Sequence, residues 1–309
     1  MLNVIEIVVP VFLVIGLGYA VRELGLVGGD FFTQVNKLVY YVCLPLLLVY
    51  KIAGADFSTS FNFKLVIATS GGVACCFVIA FLYGKWRSFP APVLGAFCQG
   101  SFRGNLAYIG LAIIFNAYGD IGLTRAGILL GFLVPILNLF AILALILPRQ
   151  EQQTSFREVI RLIISNPLII ASLTGLLWSF FQVPIPVILD RTLNIVTGMS
   201  LPLALLSIGG TFSLASLKGD IPKAVLAAAM KLFLLPLITA ALMISLNISG
   251  IDFAIGLLMA GAPTAVVSYI MASQMGADGE LAGTIVMIAT AFSSISYTVL
   301  LFCLNLYGI

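Results

Sequence analysis

Two cations and two interruptions hold the chemical interest of this chain. Arg103 and Lys231 lie inside stretches apolar enough to cross a membrane. A charge buried in a span costs several kcal/mol and marks a functional position by default. Around Arg103, Gln99–Gly119 reads QGSFRGNLAYIGLAIIFNAYG. Ser101-Phe102-Arg103-Gly104-Asn105 sets a charge, a helix-weakening glycine and an amide into its interior. Hydrocarbon tolerates that only where the segment lines a cavity inside protein. A second interruption, Gly261-Ala262-Pro263-Thr264, answers the first. Where a helix stops and restarts, the new half begins with unpaired N–H groups and a positive dipole end. Two such ends converging make a site for a small anion without any charged side chain.

Asn105 and Thr264 are placed to cap such ends or to hydrogen-bond a carboxylate. Ser101, Tyr108, Ser268 and Tyr269 add polar groups beside the breaks, although serine often bonds to its own helix carbonyls. The plainer reading is that Gly104 and Pro263 only allow close helix packing. Breaks in matching helices favour a site. Lys231 stands roughly 12 Å into its helix at 1.5 Å per residue, a long reach for snorkelling to the interface.

What is absent points the same way. No Asp or Glu lies in the interior of any span: Glu6 is in a first turn and Asp190 is near a helix start. Cation carriers need buried carboxylates, whereas this chain has buried cations, so the substrate expected is an anion. There is no histidine to shuttle protons or bind metal. The five cysteines (Cys43, Cys75, Cys76, Cys98, Cys303) sit in apolar runs without metal-type spacing and read as packing residues. No cofactor and no metal are expected. The net charge of +3 is too small to point to nucleic acid.

The elements that must position these residues are membrane helices. The 309 residues are 61% hydrophobic and 9% charged, against about 25% charged in a soluble domain. A span needs about 20 apolar residues. Ten are expected, at Val4–Val21, Val35–Ala53, Leu65–Tyr83, Val93–Ala117, Gly122–Leu147, Val159–Phe181, Val187–Phe212, Lys223–Leu246, Ile251–Met275 and Leu281–Leu306. The fourth is broken near Gly104 and the ninth near Pro263. The N-terminus lacks a basic region and a cleavage site, so its first helix reads as retained rather than as a signal peptide.

A polar linker, 148–158, divides an N-terminal unit, 1–147, from a C-terminal unit, 159–309. Leu44-Pro45-Leu46 echoes Leu201-Pro202-Leu203, and Gly119 echoes Gly276, both at an offset of 157 (202 − 45 and 276 − 119). The expectation is an all-α polytopic membrane protein of two five-helix repeats. An odd helix number gives the repeats opposite orientation, as in many transporters. Arg22, Lys37, Lys85, Arg87, Arg149, Arg157, Arg161, Lys218 and Lys223 fall on one side; Lys51, Lys64, Arg125 and Arg191 fall on the other. The richer side is expected in the cytoplasm, with both termini outside.

Asn36-Lys37-Leu38-Val39 with Leu44-Pro45, the run Arg103-Gly104-Asn105-Leu106-Ala107-Tyr108-Ile109-Gly110-Leu111, Tyr118-Gly119, Lys231-Leu232-Phe233-Leu234-Leu235-Pro236 and Ala262-Pro263-Thr264 together resemble the auxin efflux carrier family over essentially the whole chain. The resemblance implies a scaffold of helices 1, 2, 6 and 7 and a transport set of helices 3–5 and 8–10. In the transport set helices 4 and 9 cross at the substrate carboxylate, and the set moves as an elevator. Asn105 matches the family's crossover asparagine and Pro263 its crossover proline. Gly104 stands where plant members have proline, and the central loop is short. The break is expected to survive at Gly104, and the short loop favours a bacterial-type organic acid carrier of the inner membrane.

The reading is a secondary transporter of a small mono- or dicarboxylate, malonate- or malate-like, with a possible homodimer through the scaffold. Substrate contacts are expected from Arg103, Gly104, Asn105, Tyr108, Pro263, Thr264, Ser268 and Lys231, and hinge roles from Pro45 and Pro202. The competing readings are a sodium- or proton-coupled cation exchanger, disfavoured by the missing carboxylates, and a membrane-embedded ligand sensor, disfavoured by short loops without an output domain. An enzyme has no acid pair, histidine or metal set to work with.

Overall fold

The computed structural model describes residues 4–55, 61–148, 165–212 and 219–308, and among these every regular element is helical. In chain order they are α1 (Val4–Glu23), α2 (Gly29–Leu38), a π turn (Val39–Cys43), α3 (Leu44–Ala53), α4 (Phe63–Trp86) and α5 (Ala91–Phe102). A π turn (Leu106–Gly110) leads into α6 (Leu111–Ile146), followed by α7 (Pro167–Phe181), α8 (Val187–Gly198) and α9 (Ser200–Thr211). The last elements are α10 (Ile221–Ala229), a π turn (Met230–Leu234), α11 (Leu235–Ser245), α12 (Gly250–Ala260), α13 (Val266–Gln274) and α14 (Gly279–Leu306). Most of the linker expected at 148–158, the start of the sixth expected helix and Lys218 lie outside the described residues.

Among the described residues seven helical stretches are long and apolar enough to cross a membrane, and Pro167–Phe181 and Gly250–Ala260 are shorter apolar helices. Leu106–Ile146 is 41 residues, roughly 60 Å of helix and about twice the hydrocarbon thickness. Gly119, at φ 59° and ψ −149°, divides it. Large apolar side chains such as Leu13, Phe180 and Ile188 face outward, the pattern of helices that present apolar surface to lipid as well as to one another.

The second span begins at Gly29, not at Val35 as the apolar run suggested. Its first turns are amphipathic, with Phe32 and Val35 buried and Asp30 in the first turn, so counting continuous apolar residues misses them. Pro45 and Pro236 each stand second in a helix that follows a π turn. A proline frees the carbonyl four residues back and pushes against it, and the wider π turn takes up that misfit.

Backbone features recur along the chain. Gly25 and Gln182 have φ of 69° and 50°, and Gly119 and Gly276 have 59° and 70°. Both pairs are 157 apart (182 − 25 and 276 − 119), as are Pro45 and Pro202. Packing recurs too. α1 lies against α9 and α3 against α7, while α4 lies against α6 and α10 against α14. Glycines set the closest approaches. A Cβ on Gly209 would come 1.8 Å from the Ile15 carbonyl oxygen, and one on Gly72 would come 2.2 Å from Thr239 Oγ1.

Polar contacts tie down several charged loop ends. Arg22 donates to the carbonyls of Gly210 and Phe212, Lys223 sits 5.3 Å over the Phe89 ring, and Lys223 pairs with Asp220. Lys51 pairs with Asp120, Arg125 with Asp252, and Asn62 also donates to Asp252.

Candidate functional site

The two interruptions meet. α5 stops at Phe102 and α12 at Ala260, and the extended residues after each run antiparallel, with Gly104 opposite Thr264. Asn105 N–H donates to the Pro263 carbonyl at 2.6 Å, and Ala265 N–H donates to the Arg103 carbonyl at 2.9 Å. An unpaired backbone group away from water costs several kcal/mol, so each break satisfies groups that the other exposes. Gly104 permits the approach. A Cβ there would stand 3.1 Å from both Leu106 Cδ2 and Lys231 Cε, and 3.3 Å from the Ala262 carbonyl oxygen.

The helix ends that arrive at this junction are closed. Thr264 hydroxyl donates to the Gly100 carbonyl at 2.8 Å, Cys76 thiol to the Ser101 carbonyl at 3.2 Å, and Lys231 ammonium to the Ala260 carbonyl at 2.6 Å. Thr264 therefore closes the end of the opposite broken helix instead of capping the start of its own. The helix ends that leave the junction are open. Among the described residues, the N–H groups of Leu106 and Ala107 and of Val266 and Val267 donate to nothing. Asn105 side chain makes no cap bond and is partly accessible. Carbonyl-rich ends shut and N–H-rich ends free is an arrangement for an anion.

Side chains from other helices complete the surroundings. Arg103 guanidinium, 8% exposed, donates to Asn138 Oδ1 of α6 at 2.7 Å and contacts Met271 Sδ of α13 at 2.8 Å. Gln99 amide nitrogen also points to Met271 Sδ, at 3.8 Å. Gln99 Oε1 and Ser268 Oγ are buried without a partner, which is rare unless a ligand or water is due there. Tyr108 hydroxyl donates to Asn36 Oδ1 of α2 at 2.8 Å, and Ser207 of α9 reaches the same oxygen at 3.3 Å. Lys231, fully buried, emerges from the π turn Met230–Leu234. A small cavity beside it, with room for about one water, is lined by Thr69, Thr239, Phe102, Leu106 and Met259 among others.

Of the residues expected in the site, Arg103, Gly104, Asn105, Pro263 and Thr264 form the junction itself, and Lys231 touches it. Tyr108 and Ser268 stand in the first turns beyond it. Pro45 and Pro202 lie in α3 and α9, outside the junction. Ser101 hydroxyl bonds to its own helix at Phe97, and Tyr269 is exposed. Asn36, Gln99, Asn138 and Met271 were not anticipated. An amide in the middle of an apolar span was the available signal for Asn138.

The family described as "Membrane transport protein" matches residues 3–301. A Methanothermobacter thermautotrophicus protein named "Uncharacterized transporter" is 25% identical over 293 residues, covering 94% of this chain and 95% of that protein. A Rhizobium meliloti protein named "Putative malonate transporter" is 22% identical over 318 aligned positions, covering 99% of this chain and 97% of that protein.

Proposed function

Because the chain belongs to the membrane transport protein family, which includes the auxin efflux carriers, we propose that it is a secondary transporter of a small organic anion. The substrate is a mono- or dicarboxylate of malonate or malate size. The observation that carries this reading is the junction at Gly104 and Thr264, with its arriving ends closed and its departing N–H groups free. A carboxylate placed there takes hydrogen bonds from the free N–H groups and the Asn105 amide. Arg103, held by Asn138, supplies the nearby positive charge. The malonate named for the Rhizobium meliloti relative carries the charge that such a site would take.

The working architecture is ten spans in two inverted five-helix repeats. The kink at Gly119, the repeated positive φ values and the paired packings support it. The helices around α1, α2–α3, α7 and α8–α9 form the scaffold, and the rest carry the junction across the membrane. The end with more Lys and Arg faces the cytoplasm and both termini face out. The protein works in the plasma membrane as a homodimer through its scaffold helices.

The test is counterflow. Liposomes holding the purified protein and loaded with one unlabelled carboxylate are given the same compound in labelled form outside. Transient accumulation for malonate or a close analogue is expected. No accumulation for any member of a mono- and dicarboxylate panel would overturn the reading.

A further inference from the structure

Lys231 has a place in this molecule that binding of a substrate anion does not explain. Its ammonium donates to the carbonyl of Ala260, the last residue of α12, at 2.6 Å. That carbonyl is released by the break at Gly261, and it lies at the negative end of a half-helix dipole. The side chain is fully buried, and the ion pairs among the described residues (Lys51–Asp120, Arg125–Asp252, Lys223–Asp220) leave it without a carboxylate. Its Cε passes close to Gly104, between the two interruptions. The oxygens around it are neutral: the Ala260 carbonyl and, across the small cavity, the hydroxyls of Thr69 and Thr239. Thr69 hydroxyl bonds within its own helix, while Thr239 Oγ1 is buried with no partner.

Freed carbonyls at the C-terminal end of a broken helix, joined by hydroxyls, are how carriers hold a coupling cation such as sodium. Here a cation already occupies that position on a covalent tether. We propose that Lys231 is a built-in replacement for a coupling sodium ion, so that removing it exposes a site for a monovalent cation. This rests on the transporter reading in one respect only, that the junction is what moves. The occupancy itself is a binding claim. The π turn at Met230–Leu234 and Pro236 behind it supply the local geometry that delivers the ammonium to the break.

The consequence is a carrier that needs no sodium. Its tethered charge travels with the junction and never leaves the protein. Shortening the side chain converts this into a vacancy lined by the Ala260 carbonyl, Thr69 and Thr239. A bare sodium ion fits the chemistry of that vacancy, while a bulky organic cation does not.

The experiment compares purified wild type, Lys231→Ala and Lys231→Met in sodium chloride and in N-methylglucamine chloride at equal ionic strength. Thermal melting and carboxylate transport are both read. Wild type should melt and transport alike in the two salts. Lys231→Ala should be stabilised by sodium, as any ligand that binds only the folded state stabilises it, and its transport should rise by about tenfold in sodium. Lys231→Met keeps the volume filled and should respond to neither salt. Sodium dependence of wild-type melting or transport would overturn the proposal. So would a Lys231→Ala protein whose melting ignores sodium, or one that cannot be recovered folded in either salt, because Lys231 would then be a packing element. If no carboxylate is transported by any form, the transporter reading fails, and the sodium-dependent melting of Lys231→Ala still decides this proposal.

Discussion

At the scale of single residues, Asn105 is the most exposed to test. Its backbone is committed to the junction through Pro263, while its side chain is free to bind. Asn105→Ala should lower carboxylate transport by at least about tenfold and leave melting unchanged, since no folded-state bond is lost. Equal loss of stability and transport would make the side chain structural. Arg103→Gln should weaken substrate affinity and also loosen the contact to Asn138. Rescue of affinity by Arg103→Lys is expected to be incomplete, because an ammonium does not reproduce the planar fork; full rescue would show that charge alone suffices. Arg103, Asn105 and Lys231 were legible in the sequence because each is costly in hydrocarbon. Their partners were not. Arg103 and Asn138 are 35 positions apart, and Tyr108 and Asn36 are 72 apart, separations that leave no local pattern to read. The partner of Thr264 was hidden for a related reason. Its position after Pro263 suggested a helix cap or a carboxylate contact, and only the crossing reveals that its hydroxyl donates to Gly100.

At the scale of elements, the apolar runs told where helices lie but not where amphipathic turns extend them, as α2 illustrates. The breaks were legible from Gly104 and Pro263, because those residues weaken a helix whatever surrounds them. That the broken helices cross was implied by the family resemblance; the backbone pairing of Gly104 with Thr264 followed only from the fold. Gly209 is the element-level test. A side chain there would run into the backbone of α1 at Ile15, and overpacking of a tight contact costs about 1–3 kcal/mol. Gly209→Val should therefore lower the melting temperature; an unchanged melting curve would contradict the tight α1–α9 packing. At the start of α7, Asn166 accepts from Leu168 and Ile169 N–H. Asn166→Ala should destabilise by about 1 kcal/mol, measured as a shift in melting, with transport per folded molecule retained.

At the scale of the whole molecule, the proposed motion carries the junction past the scaffold, and Tyr108 to Asn36 is a contact that such motion must break. Cysteines placed at 36 and 108, in a background without the native thiols, should lose transport when joined by a short bifunctional reagent and regain it on cleavage. Unchanged transport in the joined protein would mean that these elements do not move apart. The central claim is that the crossing of the two broken helices binds and moves an organic anion. Its most direct measurement is the current across a supported membrane when a carboxylate is applied to proteoliposomes, for wild type beside Asn105→Ala. A carboxylate-dependent current is expected that is unchanged when sodium is withdrawn and lost in Asn105→Ala. A current evoked by sodium or protons with no organic anion present, and equal in both proteins, would contradict it.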